Sequence, residues 1–254
     1  TVSNAQRYRA AAGERGIGEL GCAEHVYRFT QALEVWQHPL WRESAVDDID
    51  VYAGYVREQT DLKLGIEADY VAGREEPMAA LLAARDWDYV VGSVHFVGEH
   101  ALDHDGYEVW DHRKHGVDAL WERYFGMLGD AARSGLFDIL AHPDLVKIWG
   151  PRRPRPDGDL RRFYDLAMDG IAESQIAIEL STAGLRKPVG ELYPAPAFLR
   201  MCLDAGCPVA LSSDAHVPGD VGRDYDVALE VLASLGVREL AVFERRERRL
   251  EAIG

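Results

Sequence analysis

Cysteine is scarce: Cys22, Cys202 and Cys207 are the only three in 254 residues. That excludes the disulfide framework of a small secreted domain and points to a reducing, cytoplasmic setting. The three have no evident basic partner and read as core or loop residues. Basic side chains are in deficit, 28 against 43 acidic, for a formal net charge of −15. Such a chain repels a nucleic-acid backbone at long range, which disfavours that class of partner. No apolar run approaches the roughly 18–20 residues of a membrane span, and no signal-peptide pattern opens the chain. A phosphate-binding Gly-x-x-x-x-Gly-Lys loop is missing too. Ser212 and Ser213 lack the flanking glycines of a hydrolase nucleophile. Gly16-Ile-Gly-Glu-Leu-Gly21 has the spacing of a dinucleotide loop, but it precedes a strand instead of following one and opening a helix. An initiating methionine is also absent, for the chain begins at Thr1.

What is present is a globular composition, 47% hydrophobic and 28% charged, at a length that fits one large α/β domain. Short apolar runs at 19–23, 63–68, 89–94, 137–141, 176–180, 209–212 and 240–243 predict strands buried on both faces. Helical periodicity separates them, over 46–59, 78–85, 117–134, 160–174, 196–205 and 225–235. In one of these, Val117, Leu120, Trp121, Tyr124, Phe125 and Leu128 make a single apolar stripe. Gly206 and Gly236 stand where helices end in a left-handed residue. The alternation predicts parallel strands with helical crossovers, in a barrel or an open sheet. The polar stretches 96–116 and 150–158 read as long βα loops of one domain. At the start, Ser3 with Gln6 suggests a capping box, 5–15 a helix and Gly16 its stop. In a βα repeat a strand should precede that helix, and none does.

The histidines and certain carboxylates recur at one kind of place. His25 follows the first strand, Glu67 lies in the end of the second and His95 ends the third. His142 follows the fourth in Ala-His-Pro-Asp, and Asp214 and His216 follow the sixth in Ser-Ser-Asp-Ala-His. All sit at carboxyl ends of strands, where parallel α/β proteins build their sites. A lone histidine there is ordinarily a loop or capping residue, but laid side by side these become one cluster. Glu67 stands among apolar strand residues, where an unpaired charge is expensive. Imidazole and carboxylate without thiolate suit hydrolytic Zn²⁺, Mn²⁺ or Fe²⁺ sites. Arg186 and Lys187, in the loop after 176–180, are placed to face such ions, and a guanidinium can hold phosphate bidentately. Lys147 and Arg152, with Arg153 and Arg155, lie on the next-best loop for that role, the one after 137–141. Acidic, histidine-bearing segments at 99–104 and 111–115 could meet a cationic substrate group.

These stretches carry a family resemblance. Gly-Ile-Glu-Ala-Asp-Tyr (65–70), Trp-Asp-Tyr-Val-Val-Gly-Ser-Val-His-Phe (87–96) and Ser-Gly-Leu-Phe-Asp-Ile-Leu-Ala-His-Pro-Asp-Leu-Val-Lys (134–147) resemble the PHP-domain phosphoesterases. Leu-Ser-Ser-Asp-Ala-His-Val-Pro (211–218) continues the likeness. Leu-Arg-Lys-Pro (185–188) with Glu-Leu-Tyr-Pro (191–194) narrows it to the histidinol-phosphatase type of histidine biosynthesis. The resemblance implies a distorted (β/α)7 TIM-like barrel holding two or three divalent ions at its strand ends. It implies that Glu67 bridges two metals, that His95 and His142 complete one of them and Asp214 the other, and that His25 and His216 hold a third. Glu24-His25 stands where the family has Asp-His. The family's opening His-x-His strand does not appear, so the barrel is expected to be N-terminally incomplete. A record that begins late is favoured over a damaged barrel, because the other ligands are intact. The implied reaction is hydrolysis of a small phosphorylated metabolite, L-histidinol phosphate. It needs a nucleophile at neutral pH and charge neutralisation at phosphorus, which ions roughly 3.5–4 Å apart supply. Two other readings stand beside it: the same site acting on a nucleotide or oligonucleotide end, and a metal-deficient barrel kept as a scaffold.

Overall fold

The computed structural model describes residues 2–254, with side chains from Asn4 onward. Helix α1 (Val2–Glu14) stops at a turn through Gly16, whose φ of +72° suits glycine, and leads into β1 (Gly21–His25). The chain then runs through α2 (Pro39–Ser44), α3 (Ile49–Gln59), β2 (Lys63–Asp69), α4 (Glu75–Ala83) and β3 (Tyr89–Ser93). A hairpin of β4 (Phe96–Val97) and β5 (His100–Ala101) and the short α5 (His112–His115) precede α6 (Val117–Arg133) and β6 (Ile139–Leu140). The alternation continues with α7 (Arg161–Ser174), β7 (Ala177–Ser181), α8 (Pro196–Asp204), β8 (Val209–Ser212) and α9 (Tyr225–Ser234). It ends in β9 (Glu239–Glu244) and β10 (Glu247–Ala252).

Six strands form one parallel sheet in the order β1-β2-β3-β6-β7-β8, curled as a half-barrel. Parallel pairing puts every strand's carboxyl end on the same rim, which is what brings distant histidines together. The run at 240–243 does form a strand, but β9 pairs antiparallel with β10 in a separate ribbon beside β8. Its turn is Arg245-Arg246, both at positive φ (51° and 65°). That geometry normally selects Asn-Gly or Asp-Gly, so the sequence shows no hairpin signal there. At the start, α1 begins at Val2, which places Ser3 inside the helix and not at its cap. No glycine or proline interrupts 2–12, so nothing stops the helix from running through Ser3.

Local chemistry explains the helices. Asp48 caps α3, its Oδ1 accepting from the amides of Asp50 and Val51 at 2.9 and 3.0 Å. The stripe on α6 is buried from Leu120 to Leu128 and meets Phe163, Tyr164, Ala167 and Ile171 of α7. Each such side chain contributes roughly 1.5–3 kcal/mol on leaving water. The two helices approach backbone to backbone at Gly129 and Gly170, where a Cβ on Gly170 would stand 2.1 Å from the Gly129 carbonyl oxygen. At the rim opposite the histidines, Asp88 accepts from the Leu64 amide (2.8 Å) and from Arg57 (2.7 Å). Asp138 accepts from the Val90 amide (2.7 Å) and from Arg246. These carboxylates tie the β9–β10 turn across the foot of the sheet. Among the described residues no helix is long and apolar enough to cross a membrane.

Candidate metal centre

His25 is the last residue of β1 and stands in register with Glu67 on β2. His95 and His142 lie two residues beyond β3 and β6. The three histidines converge on the Glu67 carboxylate, which is only 9% exposed. His142 Nε2 lies 3.2 Å and His95 Nε2 3.4 Å from Oε1, and His25 Nδ1 lies 3.3 Å from Oε2. Donor atoms of His25, Glu67 and His95 all fall within 4.8 Å of one another. His216, exposed on the loop after β8, brings its ring centroid to 5.8 Å from that of His25.

Charge at this cluster is organised by a second carboxylate. Asp69, two residues after Glu67 and so on the same face of β2, is buried with its Oδ1 2.7 Å from His95 Nδ1. A carboxylate only accepts, so Nδ1 carries the proton and Nε2 is turned toward Glu67. Burial opposes a charged imidazole, yet Asp69 outweighs it and raises His95 to about 10. His142 is also raised, burial being overcome by its hydrogen bond to Glu67. Burial alone would raise Glu67, but His25, His142 and His95 hold it below the ordinary carboxylate range.

Two turns that carry site residues have left-handed backbone. His142 has φ +24° and Asp214 φ +45°, a conformation costing of order 1–3 kcal/mol for a residue other than glycine. Each is held by neighbours. The His142 amide donates to Glu179 Oε2 at 2.6 Å, and the Asp214 amide to Ser212 Oγ at 2.9 Å. Glu179 lies in β7 and is buried; burial, with Asp214 and Glu67 nearby, pushes its carboxyl up to about 7 against the pull of His142. Arg186 donates to the Ser213 carbonyl at 2.5 Å and pairs with Asp220 at 3.6 Å. Tyr8 of α1 donates to the His216 carbonyl at 2.7 Å, so the loop after β8 is held from two sides.

Lys147 is placed differently from the sequence expectation. Its ammonium is buried against Asp144 (2.8 Å), Glu191 (3.2 Å) and the Leu192 carbonyl (2.7 Å). Those three acceptors satisfy its three donors, so it serves here as an internal ion pair. Lys187 and Arg152 are exposed and form no ion pair among the described residues. The residues that sequence reasoning missed are Asp69 and Glu179. Both are carboxylates inside apolar strands, the same signal that singled out Glu67.

The donor set fits a divalent metal. Among the described residues, His25 Nδ1 and His142 Nδ1 are buried without a hydrogen-bond partner, a cost that an ion at His25 would remove. Neutral imidazole and carboxylate are ligands that zinc, manganese and iron accept.

Residues 2–183 match the family described as PHP domain. The chain belongs to the PHP domain family. The PHP match covers His25, Glu67, His95 and His142 and ends before Asp214 and His216. A Deinococcus radiodurans protein named "Probable histidinol-phosphatase" is 33% identical over 249 residues, covering 95% of this chain and 91% of its own length. "Histidinol-phosphatase" of Bacillus subtilis is 26% identical, covering 89% and 91%. The PHP fold here also matches the crystal structure of histidinol phosphate phosphatase from Lactococcus lactis, complexed with zinc, L-histidinol and phosphate. The TM-score is 0.71 at 18% identity, over 96% of this chain and 92% of that one. At that identity the likeness carries the fold.

Proposed function

We propose that this PHP chain is a metal-dependent phosphomonoesterase that hydrolyses L-histidinol phosphate to L-histidinol and phosphate. The observation that carries the reading is the convergence of three imidazoles from three strand ends on the buried Glu67 carboxylate. The names of the relatives and the ligands of the Lactococcus lactis enzyme supply the substrate. Glu67, His25, His95, His142, Asp214 and His216 would hold two or three divalent ions, zinc, manganese or iron. When bound, such ions supply Lewis acidity at phosphorus and a nucleophile at neutral pH.

The chain's own residues do the rest. Asp69 keeps the His95 ring turned with Nε2 toward the centre. Arg186 fixes the Asp214 turn through the Ser213 and Asp214 carbonyls, donates also to the Thr182 carbonyl and faces Asp220 with Nε, which leaves one N–H of its five for a phosphate oxygen. Lys187, next to it, and Arg152 are exposed cations that can meet the dianion as it arrives. Asp103 follows Leu102, whose amide donates to the His95 carbonyl at 2.8 Å. Its carboxylate belongs to the acidic 99–104 segment and lies within electrostatic reach of His95, Tyr27 and Tyr193, which supports a role for it toward the substrate's ammonium. Three free cysteines support a cytoplasmic setting.

Phosphate release from L-histidinol phosphate and from nucleoside monophosphates, with added Mn²⁺ or Zn²⁺, tests the reading. The expected result is a higher kcat/KM for histidinol phosphate. Turnover of a nucleotide with histidinol phosphate left intact overturns it.

A further inference from the structure

Strand β7 contributes none of the six residues assigned to the metals, yet it runs between β6 and β8, whose ends carry His142 and Asp214. Its sequence, Ala-Ile-Glu-Leu-Ser, is buried throughout. A carboxylate in the middle of such a strand needs a reason, because burying it without partners is costly. Ala177 and Ile178 stand opposite Ile139 and Leu140 of β6, and Glu179 opposite Ala210 of β8. The last β6-side amide to join the ladder is that of Ala141, which donates to the Gly92 carbonyl at 2.9 Å. At His142 the chain leaves the sheet with φ +24°, and its amide would be stranded. Glu179 Oε2 meets that amide at 2.6 Å, and the turn closes when the Leu145 amide donates to the His142 carbonyl at 2.9 Å. The same backbone sets the direction of the His142 ring, whose Nε2 lies 3.2 Å from Glu67.

We propose that Glu179 is a positioning residue of the centre: by accepting the His142 amide it holds the strained turn that aims His142 at the metal beside Glu67. The proposal rests on the reading of His142 as a metal ligand given above. Glu179 touches no other assigned ligand through a hydrogen bond, so it acts through His142. Partners that orient metal-ligating groups are typically worth 10–100-fold in metal affinity or activity.

The test compares Glu179→Gln, which keeps an oxygen at the acceptor position, with Glu179→Met, which keeps the volume and removes the acceptor. Glu179→Asp, which withdraws the acceptor by one methylene, replaces the methionine variant if that one does not fold. Zinc alone is titrated into the metal-stripped full chain by calorimetry, beside thermal melts and kcat and KM. The expected result is a 10–100-fold weaker zinc affinity for Met or Asp, with kcat lowered and KM little changed. The glutamine variant should recover most of the affinity. Parent-like zinc affinity in the Met or Asp variant, with only the melting temperature lowered, overturns the proposal by reducing Glu179 to a structural group. A glutamine variant as weak as the methionine one overturns it too. Failure of the parent to release phosphate from histidinol phosphate sinks the substrate reading alone, since zinc affinity is read without substrate. A parent that binds no zinc sinks the metal centre and the Glu179 role together.

Discussion

Replacing Asp69 with asparagine isolates one hydrogen bond at the centre. The parent carboxylate accepts from His95 Nδ1 at 2.7 Å in a site closed to solvent, with His95 Nε2 3.4 Å from Glu67. Asparagine fills the same space, but it is neutral, and its amide can present either an oxygen or an N–H to the ring. The ring loses both the charge that raises its basicity and the constraint on its tautomer. Disturbing a partner of this kind typically costs 10–100-fold in metal affinity, or about 1.4–2.7 kcal/mol at 1.36 kcal/mol per decade. A hydrogen bond to a charged group, worth about 1.5–3 kcal/mol, leads independently to the same range. Zinc titration of the metal-stripped variant against the parent reads this directly, with circular dichroism to establish that the variant is folded. Equal zinc affinity in the two folded proteins would refute the reasoning, because His95 would then be oriented by packing alone.

Lys147→Ala should destabilise the fold by about 3–5 kcal/mol, since it leaves the buried Asp144 without its 2.8 Å partner. A thermal melt checks this, and a variant within 1 °C of the parent would contradict the ion-pair assignment. Gly170→Ala should cost about 1–3 kcal/mol, because its Cβ would stand 2.1 Å from the Gly129 carbonyl oxygen and push α6 and α7 apart; denaturant unfolding measures it. Asp88 is held below its ordinary 3.8, burial being outweighed by the Leu64 amide and Arg57. A carboxylate depressed in the folded state stabilises above that ordinary value and loses its contribution as pH falls through the lower folded one. Asp88→Asn should therefore flatten part of the stability loss below about pH 4, read by urea unfolding at several acidic pH values. Asp103→Asn should raise KM for histidinol phosphate about fivefold with kcat little changed, as for loss of about 1 kcal/mol at an exposed charged contact. An unchanged KM would remove Asp103 from the substrate's path.

Strand alternation was legible because parallel strands buried on both faces read as short apolar runs, and six of the seven expected runs pair in one parallel sheet. The seventh became β9 of a hairpin whose turn, Arg245-Arg246, has none of the residues that usually mark positive φ. His25, Glu67, His95 and His142 could be brought together on paper because parallel topology alone places strand ends on one rim. Their contacts with Asp69 and Glu179 depend on which carboxylate oxygen faces which nitrogen, and spacing does not carry that. Asp69 was nonetheless within reach, two residues from Glu67 on one strand face. Lys147 shows the opposite difficulty. Asp144 is its neighbour one turn away, but Glu191 and the Leu192 carbonyl come from 44 and 45 residues further on, so its internal pairing is a product of the fold.

The central claim is that four side chains from four strand ends form a metal centre. An anomalous difference map at the zinc edge, from crystals grown with Zn²⁺, tests it most directly. The account predicts a peak in contact with the Glu67 carboxylate, with imidazole nitrogens of His25, His95 or His142 at about 2.0–2.1 Å from the ion. Zinc confined to surface histidines such as His104 or His115, with Glu67 bare, would contradict it.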